Sequence, residues 1–275
     1  MEFFSNFARL LRRNQQFLPK FFFMNYRGNF WASIPAVTKH LLIINCIMWL
    51  GTIVLRHSSG IDLTQWLGLH YWQASDFNPA QLLTYMFMHD TSGIAHLFFN
   101  MFSLWMFGVT LERVLGQKRY FFYYMACGVG AAIVQELTWT LTWQGTFVPA
   151  FASLNSLTAD QVTQLMDTGQ INAYVDAFQN SLVTVGASGA VFGILLAFGM
   201  LFPNMPMYII PFPFPIKAKW MVLGYGAVEL LFGVASIMES VAHFAHLGGM
   251  IFGFFIIWYW KRNGTIQGGF GNGYY

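Results

Sequence analysis

Apolar segments long enough to span a bilayer follow one another through most of this chain. There are six of them, at about 38–55, 93–111, 120–143, 186–202, 220–237 and 241–260. A bilayer core about 30 Å thick is crossed by about 20 mostly apolar residues in an α-helix, and helices satisfy their own backbone hydrogen bonds in lipid. The sequence is 9% charged, whereas soluble domains carry roughly 25%. We therefore expect an all-α polytopic membrane protein with six transmembrane helices.

The segments predict one membrane domain, over about 38–262, between two tails. Residues 1–37 are basic and aromatic, as an interfacial or orientation segment would be, and the Gly-rich residues 263–275 are expected to be flexible. An insertion at about 144–183 contains no Lys or Arg and is too polar to cross. Within it, Thr158 and Gln161 have the spacing of a capping box, and one or two short amphipathic helices are expected there.

The basic residues predict the orientation of the chain in the membrane. If the N-terminus is cytoplasmic, Arg56 is the one residue of the 14 Lys and Arg that falls outside the cell. Positively charged loops stay cytoplasmic, so both termini are expected inside and the insertion outside. In a bacterium this would be the inner (cell) membrane.

Four of the polar side chains within the predicted spans stand out as functional candidates, because burial of a polar group in lipid is costly. They are His96, Asn100, Ser188 and His246. Ser188 lies fifteen residues before Pro203, His246 lies fifteen residues before Lys261, and His96 and Asn100 lie seventeen and thirteen residues before Arg113. At about 1.5 Å per residue, all four are expected at one level, several ångströms below the outer surface.

Glycine spacing predicts close contact between two of these spans. Gly189-x-x-x-Gly193 follows Ser188, and Gly249-x-x-x-Gly253 begins three residues after His246. Such pairs let membrane helices approach closely, which a hydrogen bond between a serine and a histidine requires.

These residues resemble the signatures of rhomboid intramembrane proteases. The matching motifs are HLFFN from His96, GASG from Gly186 and AHLGG from Ala245, with Glu112 and Gly116 at the positions of a family acid and glycine. The resemblance covers about residues 38–262. It implies a six-helix bundle in which a serine–histidine dyad cleaves transmembrane substrates near their outer ends.

The resemblance and the chemistry assign roles to the four polar residues. Ser188 is expected to be the nucleophile and His246 its base. His96 and Asn100, one helical turn apart, are expected to donate hydrogen bonds to the oxyanion together with the Ser188 backbone N–H. Further support is expected from Gly186, Gly189, Phe192 and Gly249. Phe192 replaces the tyrosine usual in the family but still offers an aromatic face to His246.

No orienting carboxylate is predicted for this pair. Glu239 lies seven residues before His246 and Glu229 lies in another span, so neither is assigned. His89 and His243 are expected to have structural roles.

Two other functions compete with proteolysis. A metal-dependent membrane hydrolase could use His243, His246, His96 and His89 as ligands, although the chain has no His-Glu-x-x-His motif. A non-catalytic binder of membrane helices with the same fold would typically lack the serine or the histidine. The favoured prediction has no metal or other cofactor, and its partners are the lipid bilayer and transmembrane substrates, not nucleic acid.

Overall fold

The computed structural model describes residues 30–207, 214–235 and 242–266. The basic segment before residue 30 and most of the predicted flexible tail lie outside the described residues. The helices are α1 (Phe30–Ser33), α2 (Ala36–Ser59), α3 (Leu63–Leu67), α4 (Gln81–Thr84), a 3-10 turn (Tyr85–Phe87), α5 (Ala95–Leu115), α6 (Gln117–Asn155), α7 (Ala159–Asp167), α8 (Asn172–Ser181), α9 (Ser188–Leu201), α10 (Ala218–Val234) and α11 (His243–Arg262). Four two-residue strands form two antiparallel pairs: β1 (Leu69–His70) with β2 (Val183–Thr184), and β3 (Pro206–Met207) with β4 (Ile216–Lys217).

Each of the six predicted apolar segments coincides with a helix, so the described part of the chain is all-α apart from the two short strand pairs. The main difference is the end of α6, which continues to Asn155 and not to the predicted 143. Phe147 and Phe151, one turn apart on this extension, pack at an angle against the rings of Phe178 and Tyr174 of α8. Because these rings give the extension an apolar partner on α8, the helix continues into the polar insertion.

One helix in the described part of the chain, Ala36–Ser59, is both long enough and apolar enough to cross a bilayer by length and composition alone. Helix α9 is strongly apolar but has only 14 residues. Large apolar side chains nevertheless cover the outside of the bundle, including Ile47 on α2, Leu231 on α10 and Phe255 on α11, each more than half exposed. An exposed apolar surface of this extent is typical of contact with lipid.

Helix α9 lies at the centre of the bundle and contacts α5, α6, α10 and α11. Its small residues allow this. A Cβ atom at Gly193 would lie 2.5 Å from Cys127 Sγ of α6, and one at Gly199 would lie 2.9 Å from Val222 Cγ2 of α10. Since neither position has room for a side chain, the sequence of α9 brings α6 and α10 close to its backbone.

The buried carboxylate of Glu112, at the end of α5, caps the start of α2. It accepts hydrogen bonds from Val37 N at 2.9 Å, Thr38 N at 2.7 Å and Thr38 Oγ1 at 2.8 Å. The first N–H groups of a helix have no partner within it, and its N-terminus favours negative charge. The acid singled out in the sequence therefore joins two helices at their ends, and Gly116 allows the turn that follows with φ +78°.

The insertion at about 144–183 packs against the loop of residues 60–94. The predicted capping box of α7 is formed, with reciprocal hydrogen bonds between Thr158 and Gln161. From α8, Asp176 accepts hydrogen bonds from the N and Oγ of Ser75, both at 2.9 Å. Strand β2 then pairs with β1 from the same loop. The insertion is thus bound to the loop at two points just before the chain reaches Gly186.

Candidate active site

Ser188 and His246 lie within hydrogen-bonding distance across two helices. Ser188 is the first residue of α9, His246 lies in the first turn of α11, and Ser188 Oγ is 2.8 Å from His246 Nε2. His246 is buried, whereas Ser188 remains partly exposed. A hydroxyl that a reagent can reach, joined to an imidazole nitrogen, is the arrangement in which histidine can remove the serine proton.

The chain enters α9 through a turn that glycine makes possible. Gly186 has φ +129°, a conformation that side chains rarely adopt. Its N–H donates a hydrogen bond to the carbonyl oxygen of Tyr85 at 3.0 Å, and the Tyr85 hydroxyl donates one to the Gly128 carbonyl of α6 at 2.7 Å. The loop, α6 and the start of α9 are therefore joined immediately before Ser188.

The other supporting residues follow the pair directly or within one helical turn. Gly189 faces Ala131 of α6, where an added Cβ atom would lie 2.4 Å from Ala131 Cβ, and Gly249 of α11 packs against the Gly189 backbone. The Phe192 ring lies parallel to the His246 ring, with centroids 4.3 Å apart and an interplanar angle of 7°. The imidazole is thus held between Ser188 at its edge and Phe192 on its face.

His96 presents one ring nitrogen toward Ser188. The backbone N–H of Asp90 donates a long hydrogen bond to His96 Nδ1 at 3.4 Å, which leaves the ring proton on Nε2. A Cβ atom at Gly186 would lie 2.9 Å from His96 Nε2 and 3.6 Å from Ser188 Oγ. The His96 N–H donor and the serine therefore border the same small space.

Asn100 lies on the buried face of α5, the helix that packs against α9. One of its amide hydrogens donates to the His96 carbonyl at 3.0 Å, which leaves the second free for another acceptor. Asn100 and His96 are therefore linked within one helical turn.

His89 is buried and lies outside the serine–histidine pair. Its ring centroid is 5.1 Å from that of His96. Burial, with a smaller contribution from His96, lowers the pKa of His89 to about 3. His89 is therefore a neutral packing partner of His96 at physiological pH.

The prediction that no carboxylate orients His246 is corrected by the position of Glu229. Its Oε2 lies 2.7 Å from His243 Nδ1 and 3.0 Å from His246 Nδ1. His243, predicted to be structural, therefore also contacts this group. The sequence contains a signal for Glu229, because an acidic residue inside an apolar segment is a functional candidate in its own right. Glu239, also left unassigned, lies outside the described residues.

The four histidines of the metal-site hypothesis do not lie together in one group. In the described ranges, the donor atoms that lie within 4.8 Å of one another belong to Glu229, His243 and His246. The other two histidines of the alternative pair with each other near the loop. A metal site here would therefore use the Glu229 carboxylate in place of His89 and His96.

Comparison with known proteins places these residues in a family. The Rhomboid domain family matches residues 76–263, more than half of the chain. The chain is 29% identical over 164 residues to the mitochondrial Rhomboid protein 1 of Saccharomyces cerevisiae, covering 60% of this chain and 37% of that protein. It is 29% identical over 177 residues to the rhomboid protease GluP of Bacillus subtilis, covering 64% of this chain and 25% of that protein.

A third relative, the rhomboid protease AarA of Providencia stuartii, is 23% identical over 239 residues, covering 84% of this chain and 75% of that protein. The chain thus spans well under half the length of the yeast and Bacillus relatives it matches. The matched region begins in the loop before α5 and ends after α11, so it includes every residue of the site described above. The chain belongs to the rhomboid family of integral membrane proteins.

Proposed function

We propose that the protein is an intramembrane serine endopeptidase that uses Ser188 and His246 to cleave transmembrane-helix substrates near their outer ends. The observation that carries this proposal is the 2.8 Å contact between Ser188 Oγ and His246 Nε2. Membership of a family that contains proteins named rhomboid proteases supports it. A packing serine would not need a histidine nitrogen at this distance.

The reaction follows from the positions of the two side chains. His246 Nε2 removes the Oγ proton while Oγ bonds to the scissile carbonyl carbon, which leaves an oxyanion and an imidazolium. The imidazolium then gives that proton to the leaving amine nitrogen as the C–N bond breaks. Water, deprotonated by the same nitrogen, next attacks the acyl-enzyme, and its proton passes back to Ser188 as the acid is released.

The oxyanion is expected to lie among donors from α5 and α9. The candidates are His96 Nε2–H, the free amide hydrogen of Asn100 and the backbone N–H of Ser188. Fixed donors of this kind act where charge develops and need no reorganisation during the reaction. The short path from His96 Nε2 across Gly186 to Ser188 Oγ supports this assignment.

We further propose that all six long helices cross the bilayer, with both termini in the cytoplasm. Ser188 and His246 begin or nearly begin their helices, so both lie at the end of the bundle that the outer insertion joins. That end faces outward under the distribution of Lys and Arg. Water and the exposed end of a substrate helix would then meet at the partly exposed Ser188, in a bacterial inner membrane or an equivalent one.

A serine-directed fluorophosphonate tests the assignment directly. The purified wild-type protein should be labelled on Ser188 and should cleave a transmembrane substrate, whereas Ser188→Ala should do neither. Ser181→Ala, which changes an exposed serine on α8, is the matched control and should behave as wild type. Cleavage by Ser188→Ala at the wild-type rate would refute the protease assignment, and intact binding without any cleavage by the wild type would favour the non-catalytic binder.

The carboxylate and two imidazoles near Ser188 favour one second candidate, a metal-dependent hydrolase. A ligand set of two histidines and one glutamate is one that zinc uses in catalytic sites. EDTA treatment decides between the two functions. Cleavage that survives EDTA supports the serine mechanism, whereas complete loss with recovery on adding zinc supports the metal.

A further inference from the structure

We infer that Glu229 is a positioning residue for the reaction, which holds His246 with Nε2 toward Ser188 and stabilises its protonated form. The inference rests on the proposed serine-protease function. Glu229 of α10 would extend the serine–histidine dyad to a serine–histidine–glutamate triad.

The two nitrogens of His246 face different partners. Nε2 lies 2.8 Å from Ser188 Oγ, and Nδ1 lies 3.0 Å from Glu229 Oε2. An ionised carboxylate only accepts hydrogen bonds, so it favours the imidazole tautomer with its proton on Nδ1. That tautomer leaves the lone pair on Nε2, where the proton of Ser188 must go.

His243, three residues before His246 on α11, holds the Glu229 carboxylate in place. Its Nδ1 lies 2.7 Å from the same Oε2 atom, and its ring packs edge-on against Phe232 of α10. The contact of Glu229 with His246 is short but lacks the alignment of a linear hydrogen bond. At rest, His243 therefore makes the stronger bond, and His246 has a carboxylate oxygen in close reach.

Burial makes the charge of Glu229 effective. The side chains of Glu229, His243 and His246 are 12%, 7% and 9% exposed. A carboxylate removed from water is costly unless it is paired, and the two imidazoles supply partners. When His246 takes the serine proton, it becomes a cation 3.0 Å from this carboxylate. Solvent screens such a buried pair far less than a surface pair.

No proton needs to move to Glu229. The proton of Ser188 passes to His246 Nε2 and then to the leaving nitrogen, while Nδ1 keeps its own proton throughout. The carboxylate stays ionised and acts only through His246. A triad aspartate is understood to act in the same way, and its replacement by asparagine lowers kcat about 10⁴-fold.

The alternative is that Glu229 only ties α10 to α11 through His243. The two roles make different predictions for Glu229→Gln, which keeps the size of the side chain and an acceptor oxygen but loses the charge. A structural tie predicts a change in stability with normal turnover in the folded protein. A positioning role predicts a loss of turnover in protein that remains folded.

The experiment compares Glu229→Gln and Glu229→Asp with wild type in detergent, using one transmembrane substrate and one fluorophosphonate. For Glu229→Gln, kcat should fall about 10- to 100-fold, less than for a triad aspartate because the contact is not linear. KM should change little, since Glu229 does not touch substrate. Labelling of Ser188 should slow in parallel with kcat, and Glu229→Asp should recover part of both rates. Glu136→Gln, which alters a half-buried carboxylate of α6 next to Trp72, is the matched control and should retain wild-type kcat.

Wild-type kcat and labelling in folded Glu229→Gln would overturn the inference while leaving the protease intact. Cleavage that does not depend on Ser188 would instead overturn the proposed function. If Glu229→Gln does not fold, nitrogen-15 NMR of His246 in the wild-type protein decides the matter. A proton on Nδ1 supports the inference, and a neutral ring with its proton on Nε2 overturns it.

Discussion

A Cβ atom at Gly249 of α11 would lie 1.8 Å from the carbonyl oxygen of Gly189 in α9. The two helices therefore touch backbone to backbone at this point. Gly189 follows Ser188 directly, and Gly249 is three residues beyond His246. The contact sets how far apart the two helix starts can be, and with it the distance between the serine and the histidine.

Gly249→Ala should accordingly separate α9 from α11. The backbone cannot move aside as a flexible side chain would, so we expect a loss of stability of about 1–3 kcal/mol or more and very slow labelling of Ser188. Gly51→Ala in α2, where an added Cβ atom would meet nothing within 4 Å, should be stable and reactive. Thermal unfolding and fluorophosphonate labelling of both variants provide the check, and a Gly249→Ala protein as reactive as Gly51→Ala would contradict the idea.

The pairing of Ser188 with His246 could be expected from the sequence because depth along a helix follows from counting residues. The rise per residue is nearly constant, and the glycine motifs independently predicted close approach. Glu229 could not be placed by the same reasoning. Whether it meets His246 depends on which face α10 turns toward α11 and on the path between them, and neither follows from a count along one helix.

The end of α6 shows a second limit of sequence reasoning. Hydropathy falls after residue 143, which predicts the end of a span but not the end of a helix. Continuation to Asn155 depends on the packing of Phe147 against Phe178. That pairing joins residues far apart in sequence, so periodicity in either segment does not reveal it.

Asn100→Ala is expected to slow catalysis without abolishing it. The substitution removes one of several oxyanion donors, and loss of one such donor typically costs about 10²–10³ in kcat, roughly 3–4 kcal/mol. Ser188→Ala and His246→Ala should each reduce turnover to background, and the double variant should be hardly worse because the two side chains act as a unit. Measured kcat values at equal thermal stability test the ranking. Wild-type turnover by Asn100→Ala would contradict the assignment of Asn100 as an oxyanion donor and leave the protease assignment intact.

Phe192 is expected to orient the imidazole by stacking, not by a hydroxyl. Phe192→Tyr keeps the ring that lies 4.3 Å from His246 and should be close to wild type. Phe192→Leu loses the stack, and since aromatic pairs contribute about 0.5–1.5 kcal/mol, kcat should fall about 2- to 12-fold. Equal rates for the leucine and tyrosine variants would show that the stacking has no part in turnover.

Glu112→Gln should destabilise the protein without changing its chemistry. The amide offers one acceptor oxygen to the three donors from Val37 and Thr38, and its NH₂ group faces N–H groups of the α2 terminus. Loss of charge-assisted bonds at a buried cap should cost about 2 kcal/mol. Thr38→Val, which removes one donor and keeps the backbone bonds, should cost less. Apparent melting temperatures in detergent check the order, and labelling rates below the transition should match wild type in both variants.

Asp176 offers a test of whether the outer insertion controls access to the site. Its carboxylate holds Ser75 in the loop of residues 60–94, and the same loop reaches Gly186 through the Tyr85 carbonyl. Asp176→Ala should loosen the loop at α8, where Asn180 keeps its own bonds to Asp76 and Ser75, while Tyr85, Gly186 and the β1–β2 pair keep their contacts. A small fluorophosphonate needs only Ser188, so its labelling rate should be unchanged. If the insertion controls access, a transmembrane substrate enters past the loop, so its cleavage rate should change, in the same direction as after deletion of about 155–178. Asp167→Ala, which removes an exposed carboxylate at the end of α7, should leave both rates as in wild type. If Asp176→Ala or the deletion abolishes labelling together with thermal stability, the insertion is a structural support for the site and does not control access.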